Sequence, residues 1–328
     1  MNTMSSLAQT IIRRLPVCLA CLSAFAQESG QFGSTETSPN REVTLWFTSP
    51  PGSAWRLETS GNLTDWEGWR TFGSTGTDSH VDSGAPYQPQ RFFRALEVAA
   101  AGTLTGDHLP TTRGDLVIHP INHATLVLGW NGRMIYVDPV GGAGPFQGLP
   151  RADLILVAHQ HGDHLHAATL ESVRGPEAVI VAPQVVYSAL SASLKALTTV
   201  LPNGSSTNLL DLTVEAVPAY NLTTSNHPKG VGNGYVITLG GKRIYVSGDT
   251  EDIPEMRALR NIDVAFVCMN VPYTMSVSKA VSAVREFRPK VVYPYHYRNA
   301  DGSFANLEAF KQQVGTDLGI EVRLRSWY

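Results

Sequence analysis

The apolar segment Leu154 to Ala158 runs directly into His159-Gln160-His161-Gly162-Asp163-His164. Five apolar residues followed at once by six polar or flexible ones require a buried strand that ends at the surface and turns there. Alternate side chains of an extended chain point the same way, so His159 and His161 share one face while Asp163 and His164 come round on the turn. Gly162 is expected to permit a tight backbone path between them. Imidazole and carboxylate without thiolate are donors that suit a borderline divalent ion and leave its coordination open for chemistry.

Three more donors stand at strand ends or in loops: His227 in "NHPKG", Asp249 in "VSGDT" and His296 in "YPYHY". Asp249 follows the apolar strand Ile244 to Val246 with Gly248 beside it, and His296 follows Val291 to Tyr293. A lone histidine at such a place is more often an ordinary surface or core residue. Together with the first cluster they make a candidate ligand set of His159, His161, Asp163, His164, His227, Asp249 and His296. His123, near a strand start, and Asp138, ending a strand, either orient a ligand or satisfy a structural hydrogen bond. His166 is expected outside the ligand set, while Lys229, Asn270, Tyr273 and Thr274 lie where substrate contacts can arise. Cys268, in the run Val264-Ala265-Phe266-Val267-Cys268, reads as a small core residue.

The surrounding chain has several parts. Arg13 and Arg14 precede an apolar run over residues 15–26 that is too short to span a bilayer but suits a secretory leader, with Ala24-Phe25-Ala26 as the cleavage signal. Residues 1–26 are therefore expected to be removed, exporting the protein to the periplasm or the extracellular space without lasting membrane insertion. Lipid attachment at Cys21 is a weaker reading, and loss of Cys18 and Cys21 with the leader would leave Cys268 alone. Residues 27–40 read as a flexible tether and 41–97 as a small all-β module of short strands between turn signals. Four of the six tryptophans, Trp46, Trp55, Trp66 and Trp69, fall in that module, where core packing is the plainer reading and an aromatic sugar-binding face the alternative. Residues 98–113 read as a linker and 114–328 as the catalytic domain. Helical stretches near 167–173, 184–197, 277–287 and 306–314 alternate there with strands, an α+β pattern of sheets covered by helices. "GRMIYVDP" and "GKRIYVSGDT" echo one another as turn, Tyr-containing strand and aspartate, as a duplicated half-domain would.

A net charge of -3 with no long basic run gives no electrostatic footprint for nucleic acid, so a small-molecule substrate is expected. Nothing in the sequence fixes an oligomeric state.

These motifs resemble the metallo-β-lactamase-fold hydrolases, and through "INHATLVLGWNGRMIYVDP", "HPKGVGNGYVI", "YVSGDTEDIPEM", "VPYTM" and "YPYHY" the branch containing L-ascorbate-6-phosphate lactonase. The resemblance implies a four-layered αββα sandwich after the small N-terminal all-β domain. It also implies that His159, His161 and His227 hold one ion, that Asp163, His164 and His296 hold the other, and that Asp249 bridges them. Asp163, Asp249 and His123 are then the catalytic candidates. Two divalent ions are expected, zinc first, with manganese or iron also compatible with such ligands. Ions about 3.5–4 Å apart can share a hydroxide that attacks a lactone, ester or phosphodiester. The competing expectations are a β-lactam hydrolase, a phosphodiesterase or nuclease of the same fold, and a secreted binding protein with structural metals.

Overall fold

A computed structural model describes residues 8–12 and 30–328. The chain divides into two compact units, Met1–Pro110 with Asp115–His119, and Thr111–Gly114 with Pro120–Tyr328. No helix among the described residues is long and apolar enough to cross a membrane.

The first unit is built from strands. One sheet runs in the order Ala8–Ile12, Arg91–Val98, Ala54–Ser60, Glu67–Gly73, Gly106–Thr111, and a second in the order Gln31–Thr37, Val43–Thr48, Thr77–Asp82. Phe47 is central to its core, with ring centroids 5.1 Å from Trp55 and 5.8 Å from Phe72, both edge-on. Trp55 and Trp69 are buried in that core, and Trp46 and Trp66 are half-buried, Trp66 with the Arg94 guanidinium 4.4 Å above its ring. Core packing thus accounts for two of the four tryptophans.

Two sequence expectations need correction here. Residues 31–37 of the expected tether form a strand paired with Val43–Thr48, and residues 106–111 of the expected linker form another. The second works because its polar residues are buried against partners: His108 Nδ1 lies 2.9 Å from Asp115 Oδ2 and its Nε2 2.8 Å from Thr71 Oγ1. Within the expected leader, Ala8–Ile12 pairs antiparallel with Arg91–Val98. The apolar run and cleavage signal at 15–26 lie outside the described residues.

The second unit contains two sheets and six short helices. The strands Thr125–Trp130, Arg133–Val137, Ala152–Leu156, Arg174–Ala182 and Thr198–Val200 are successive neighbours in one sheet. The other sheet has seven strands in the order Ser206–Leu209, Leu212–Ala219, Gly232–Leu239, Lys242–Val246, Val264–Cys268, Val291–Tyr295, Glu321–Val322. Each sheet holds an antiparallel hairpin followed by a parallel strand: Tyr136 pairs with Val127 and then Ile155, and Tyr245 with Val236 and then Ala265. This is the structural counterpart of the echo between "GRMIYVDP" and "GKRIYVSGDT".

The helix Val277–Phe287 shows why such segments form where they do. Ser276 caps its first turn, and Ala280, Val281, Ala283, Val284 and Phe287 give it one continuous buried stripe. The helix expected over 184–197 is instead two, Gln184–Ala189 and Ala192–Lys195, because Ser191 turns its hydroxyl to the Leu194 N–H and starts a new one.

The sheets meet near the ends that matter. Tyr235 donates its hydroxyl to the Val157 carbonyl at 2.7 Å, and the Asn233 N–H donates to the Ala158 carbonyl at 2.9 Å. Glycine is required at 234, where a Cβ would sit 2.6 Å from the Ser247 carbonyl oxygen. Consequently Asp138, the 159–164 turn, Asp249 and His296 all leave the carboxyl ends of strands on one side of the unit.

Candidate metal centre

The turn after Ala158 is closed by its own backbone: the N–H groups of His164 and Leu165 donate to the His161 carbonyl at 3.0 and 2.8 Å. Gly162 does not carry the strain expected of it. Its φ is not positive, and a Cβ there would meet nothing within 4 Å. The glycine the site needs is Gly248, at φ +59°, where a Cβ would lie 2.7 Å from the Asn233 carbonyl oxygen. Its N–H donates to the Tyr295 hydroxyl at 3.0 Å, which fixes the turn that presents Asp249.

Asp249 stands between two histidine sets. Its Oδ1 is 3.3 Å from His164 Nε2 and 3.1 Å from His296 Nε2, whereas its Oδ2 is 3.2 Å from His227 Nε2 and 3.9 Å from His159 Nε2. His161 Nδ1 is 3.0 Å from His159 Nε2, completing the group His159, His161 and His227. On the other side Asp163 Oδ2 is 3.5 Å from His296 Nε2 and 3.9 Å from His164 Nε2. All seven expected ligands therefore converge.

The outer nitrogens explain how the inner ones are aimed. His164 donates Nδ1–H to Asp138 Oδ2 at 2.7 Å, and Asp138 Oδ1 accepts the Ala158 N–H at 2.7 Å. Asp138 is fully buried, so its role is to orient His164. His227 donates Nδ1–H to Asn221 Oδ1 at 2.8 Å, and the His227 N–H reaches the same oxygen at 2.8 Å. Both histidines then present an Nε2 lone pair to the cluster. Sequence reasoning missed Asn221; six residues before His227 and among polar residues, it carries no pattern of its own.

His123 is closer to the centre than a remote support. Its Nε2 is 3.1 Å from Asp163 Oδ2, and it forms a ligand-distance group with Asp163 and His296. Its other nitrogen, Nδ1, is 2.6 Å from the Tyr328 hydroxyl, which itself accepts the Arg298 N–H at 3.2 Å. That donor order leaves Nε2–H pointing at Asp163. His123, Asp138 and His296 all have positive φ, at 55°, 45° and 48°. Each costs about 1–2 kcal/mol for an L-residue, so the surrounding contacts hold the site in a strained backbone.

The other candidates lie elsewhere. His166 bonds through Nδ1 to Thr169 Oγ1 at 2.6 Å and joins no ligand group. Lys229 pairs with Glu255 and lies over the Tyr220 ring. Asn270 and Thr274 are buried and bond to each other, Tyr273 is exposed, and Cys268 is a fully buried core thiol. A cavity of about 340 Å³ lined by Tyr136, Phe146 and Arg151 contains none of these donors.

The electrostatics fit a cation. Burial, and after it His164, hold His159 well below the ordinary imidazole range. Burial opposes the charge on Asp249, but His296 and His164 outweigh it and hold the carboxyl well below its ordinary value. Asp163 is likewise lowered against burial, through His123 and His296. Burial also works against charge on His164, yet Asp249 and Asp138 raise its proton affinity well above the usual value. The cluster thus sets ionised carboxylates beside His164, where positive charge is favoured, and His159, which is pushed towards its neutral, lone-pair-bearing form. Asp249 Oδ1 and His227 Nε2 are buried and have no hydrogen-bond partner among the described residues. The His227 nitrogen facing a carboxylate oxygen at 3.2 Å calls for a proton or a metal cation between them, and the gathering of the seven expected ligands at one place suits the metal.

Comparison with known proteins agrees. The beta-lactamase superfamily domain matches residues 118–296. The chain belongs to that superfamily. A UPF0173 metal-dependent hydrolase of Pyrococcus abyssi is 34% identical over 170 residues, covering 50% of this chain and 74% of its own. A UPF0173 relative from Thermus thermophilus is 30% identical over 211 residues, covering 61% of this chain and 92% of its own. A Parabacteroides distasonis protein assigned as a metal-dependent hydrolase superposes with a TM-score of 0.61 at 40% identity, covering 68% of this chain and 99% of that one. A metallo hydrolase from Ignicoccus hospitalis gives a TM-score of 0.56 at 25% identity, covering 64% and 95%. This beta-lactamase superfamily member is a metal-dependent hydrolase of the metallo-β-lactamase fold, and its His and Asp groups are the candidates for holding the metal.

Proposed function

We propose that this hydrolase holds two divalent ions and cleaves a small-molecule lactone, ester or phosphodiester. The observation that carries the reading is Asp249, whose two oxygens face different histidine sets. On this reading His159, His161, His227 and Asp249 would hold one ion. Asp163, His164 and His296 would hold the other with the same Asp249, and His123 steadies Asp163. Such ions supply Lewis-acid polarisation of the scissile group and acidify water enough to attack near neutral pH. The chain's own contribution is positional. Asp138 and Asn221 fix the tautomers of His164 and His227, and Tyr295 holds the turn that carries Asp249. Five imidazoles without a thiolate favour zinc, with manganese or iron as the alternatives that elemental analysis separates. The lactonase-like motifs favour a lactone or ester over a β-lactam, and the absence of a long basic run disfavours polynucleotide.

The test is elemental analysis with a screen of lactones, esters, phosphodiesters and nitrocefin on wild type, Asp249→Ala and His166→Ala. About two equivalents in wild type, a fall towards one or none in Asp249→Ala with activity lost by orders of magnitude, and little change in His166→Ala are expected. One equivalent in wild type, or equal losses in both variants, defeats the two-ion reading.

We propose export as well, on Arg13, Arg14 and the apolar run at 15–26. N-terminal sequencing of the secreted protein should begin at Gln27, and an intact Met1 in that fraction would overturn it.

A further inference from the structure

The second unit is sparing with exposed large apolar side chains. Among the described residues six exceed a third exposure, and four of those, Leu222, Val271, Tyr273 and Phe304, belong to this unit. Scattered singly they would need no account, but contiguous exposed apolar surface marks a binding site.

The contacts join all four to the metal centre. Leu222 follows Asn221, the residue that orients His227, and Asn221 Nδ2 donates to the Tyr273 carbonyl at 2.9 Å. Tyr273 is two residues from Val271, whose carbonyl accepts the Ala300 N–H at 3.1 Å and whose own N–H donates to Asn299 Oδ1 at 3.1 Å. Asn299 sits beside Arg298, which bridges to Phe304, and the Phe304 ring lies 5.0 Å from Tyr328, the residue bonded to His123. An arc of hydrogen-bonded loops carrying these four exposed side chains therefore runs from the His227 side of the centre to the His123 side. Leu222 and Phe304 are its most open members, at 52% and 51% exposure.

One cation stands on this arc. The exposed Arg298 guanidinium lies 4.5 Å from the Tyr328 ring centroid and 5.6 Å from that of Phe304, with no carboxylate partner among the described residues. A guanidinium spread over aromatic faces keeps its outward N–H groups available for an anion.

We infer that the substrate is an amphiphile, with a hydrocarbon part lying on the Leu222 to Phe304 arc and an anionic group meeting Arg298. The inference rests on reading the His and Asp cluster as the hydrolytic centre. Charge complementarity selects an anionic amphiphile over an uncharged apolar surface. A very polar small substrate would leave the arc in water and gain nothing from it.

The experiment uses the metal-loaded full chain and straight-chain carboxylates from acetate to octanoate, with affinity read by calorimetry and metal content by elemental analysis. A methylene fully removed from water is worth about fourfold in affinity, and one covered on one side about twofold. Affinity should therefore rise roughly 60-fold from acetate to octanoate, six methylenes at about twofold each. Leu222→Ser with Phe304→Ser should flatten that slope while leaving metal content unchanged. Arg298→Gln should weaken octanoate binding but not octanol binding. A flat slope in wild type overturns the inference even if the protein is metal-loaded and turns over small esters, in which case the hydrolase reading stands. A steep slope that survives the double change overturns the assignment to this arc. Self-association in sedimentation velocity that the double change abolishes, with a flat slope, assigns the surface to a second copy of the chain.

Discussion

Asp138→Asn isolates the step by which the fold aims a ligand. The wild-type carboxylate accepts two donors at 2.7 Å, the Ala158 N–H and the His164 Nδ1–H. Asparagine is nearly the same size but has only one acceptor atom, so its amide N–H₂ must face one of those donors. The Ala158 N–H cannot move, whereas His164 can change tautomer, which would put its proton on Nε2 and remove the lone pair aimed at the metal. Losing a hydrogen bond to a charged group costs about 1.5–3 kcal/mol. At 1.4 kcal/mol per tenfold this is about 10–100-fold in affinity, the range typical of residues that orient ligands. Competition against a chromogenic chelator measures the dissociation constant, and far-UV circular dichroism checks that the fold survives. With two ions as proposed, the one at His164 should weaken by that factor while the one assigned to His159, His161 and His227 changes little. Wild-type affinity within threefold for both ions, in a folded variant, would refute the argument.

Other outcomes follow from the same structure. Tyr328→Phe removes the hydroxyl that fixes His123, so side-chain ¹⁵N spectra should show its tautomers mixing, with turnover down about tenfold and metal content retained; an unchanged spectrum would deny the role. Asp115 is held below the ordinary carboxylate value, chiefly by its bond to His108 and also by Arg56, against the effect of burial. A lowered folded-state value means stability present above about pH 4 and lost as pH falls through that folded value. Asp115→Asn should therefore cost about 2 kcal/mol in urea unfolding at pH 7, with the gap to wild type closing under acid. Gly234→Ala, with its Cβ 2.6 Å from the Ser247 oxygen, should lower stability by about 1–3 kcal/mol in thermal unfolding. No loss there would mean the two strands have slack.

Much of the site was legible because its ligands sit where apolar strands stop. His159, Asp249 and His296 each follow a run whose burial the sequence announces. What escaped was held by partners rather than by pattern. Gly106–Thr111 looked like linker because its buried residues include Asp107 and His108, satisfied by Arg70, Thr71 and Asp115, and such burial leaves no hydrophobic period. Gln31–Thr37 is mostly polar and exposed, and its strand character comes from pairing with Val43–Thr48. Leu212–Ala219 carries Pro218, which argues against a strand, yet it pairs along its length with Gly232–Leu239. Asn221 and Tyr328 act through distant chain partners, for which one sequence offers no local signal.

The matched hairpins place an aspartate after the same Tyr-containing strand in each sheet, Asp138 in one and Asp249 in the other. What separates a buried support from a carboxylate that faces two histidine sets is the side chain standing in front of it. The His164 ring stands between Asp138 and the cluster, its Nδ1 2.7 Å from Asp138 Oδ2 and its Nε2 3.3 Å from Asp249 Oδ1, whereas Asp249 faces both histidine sets directly. A small residue at 164 would open Asp138 to the cluster as Asp249 is open, exchanging an imidazole nitrogen donor for a hard carboxylate oxygen. With zinc as the proposed ion, that exchange of one ligand would turn the preference of the centre towards oxygen-loving ions such as magnesium or manganese, the other six candidate ligands staying in place.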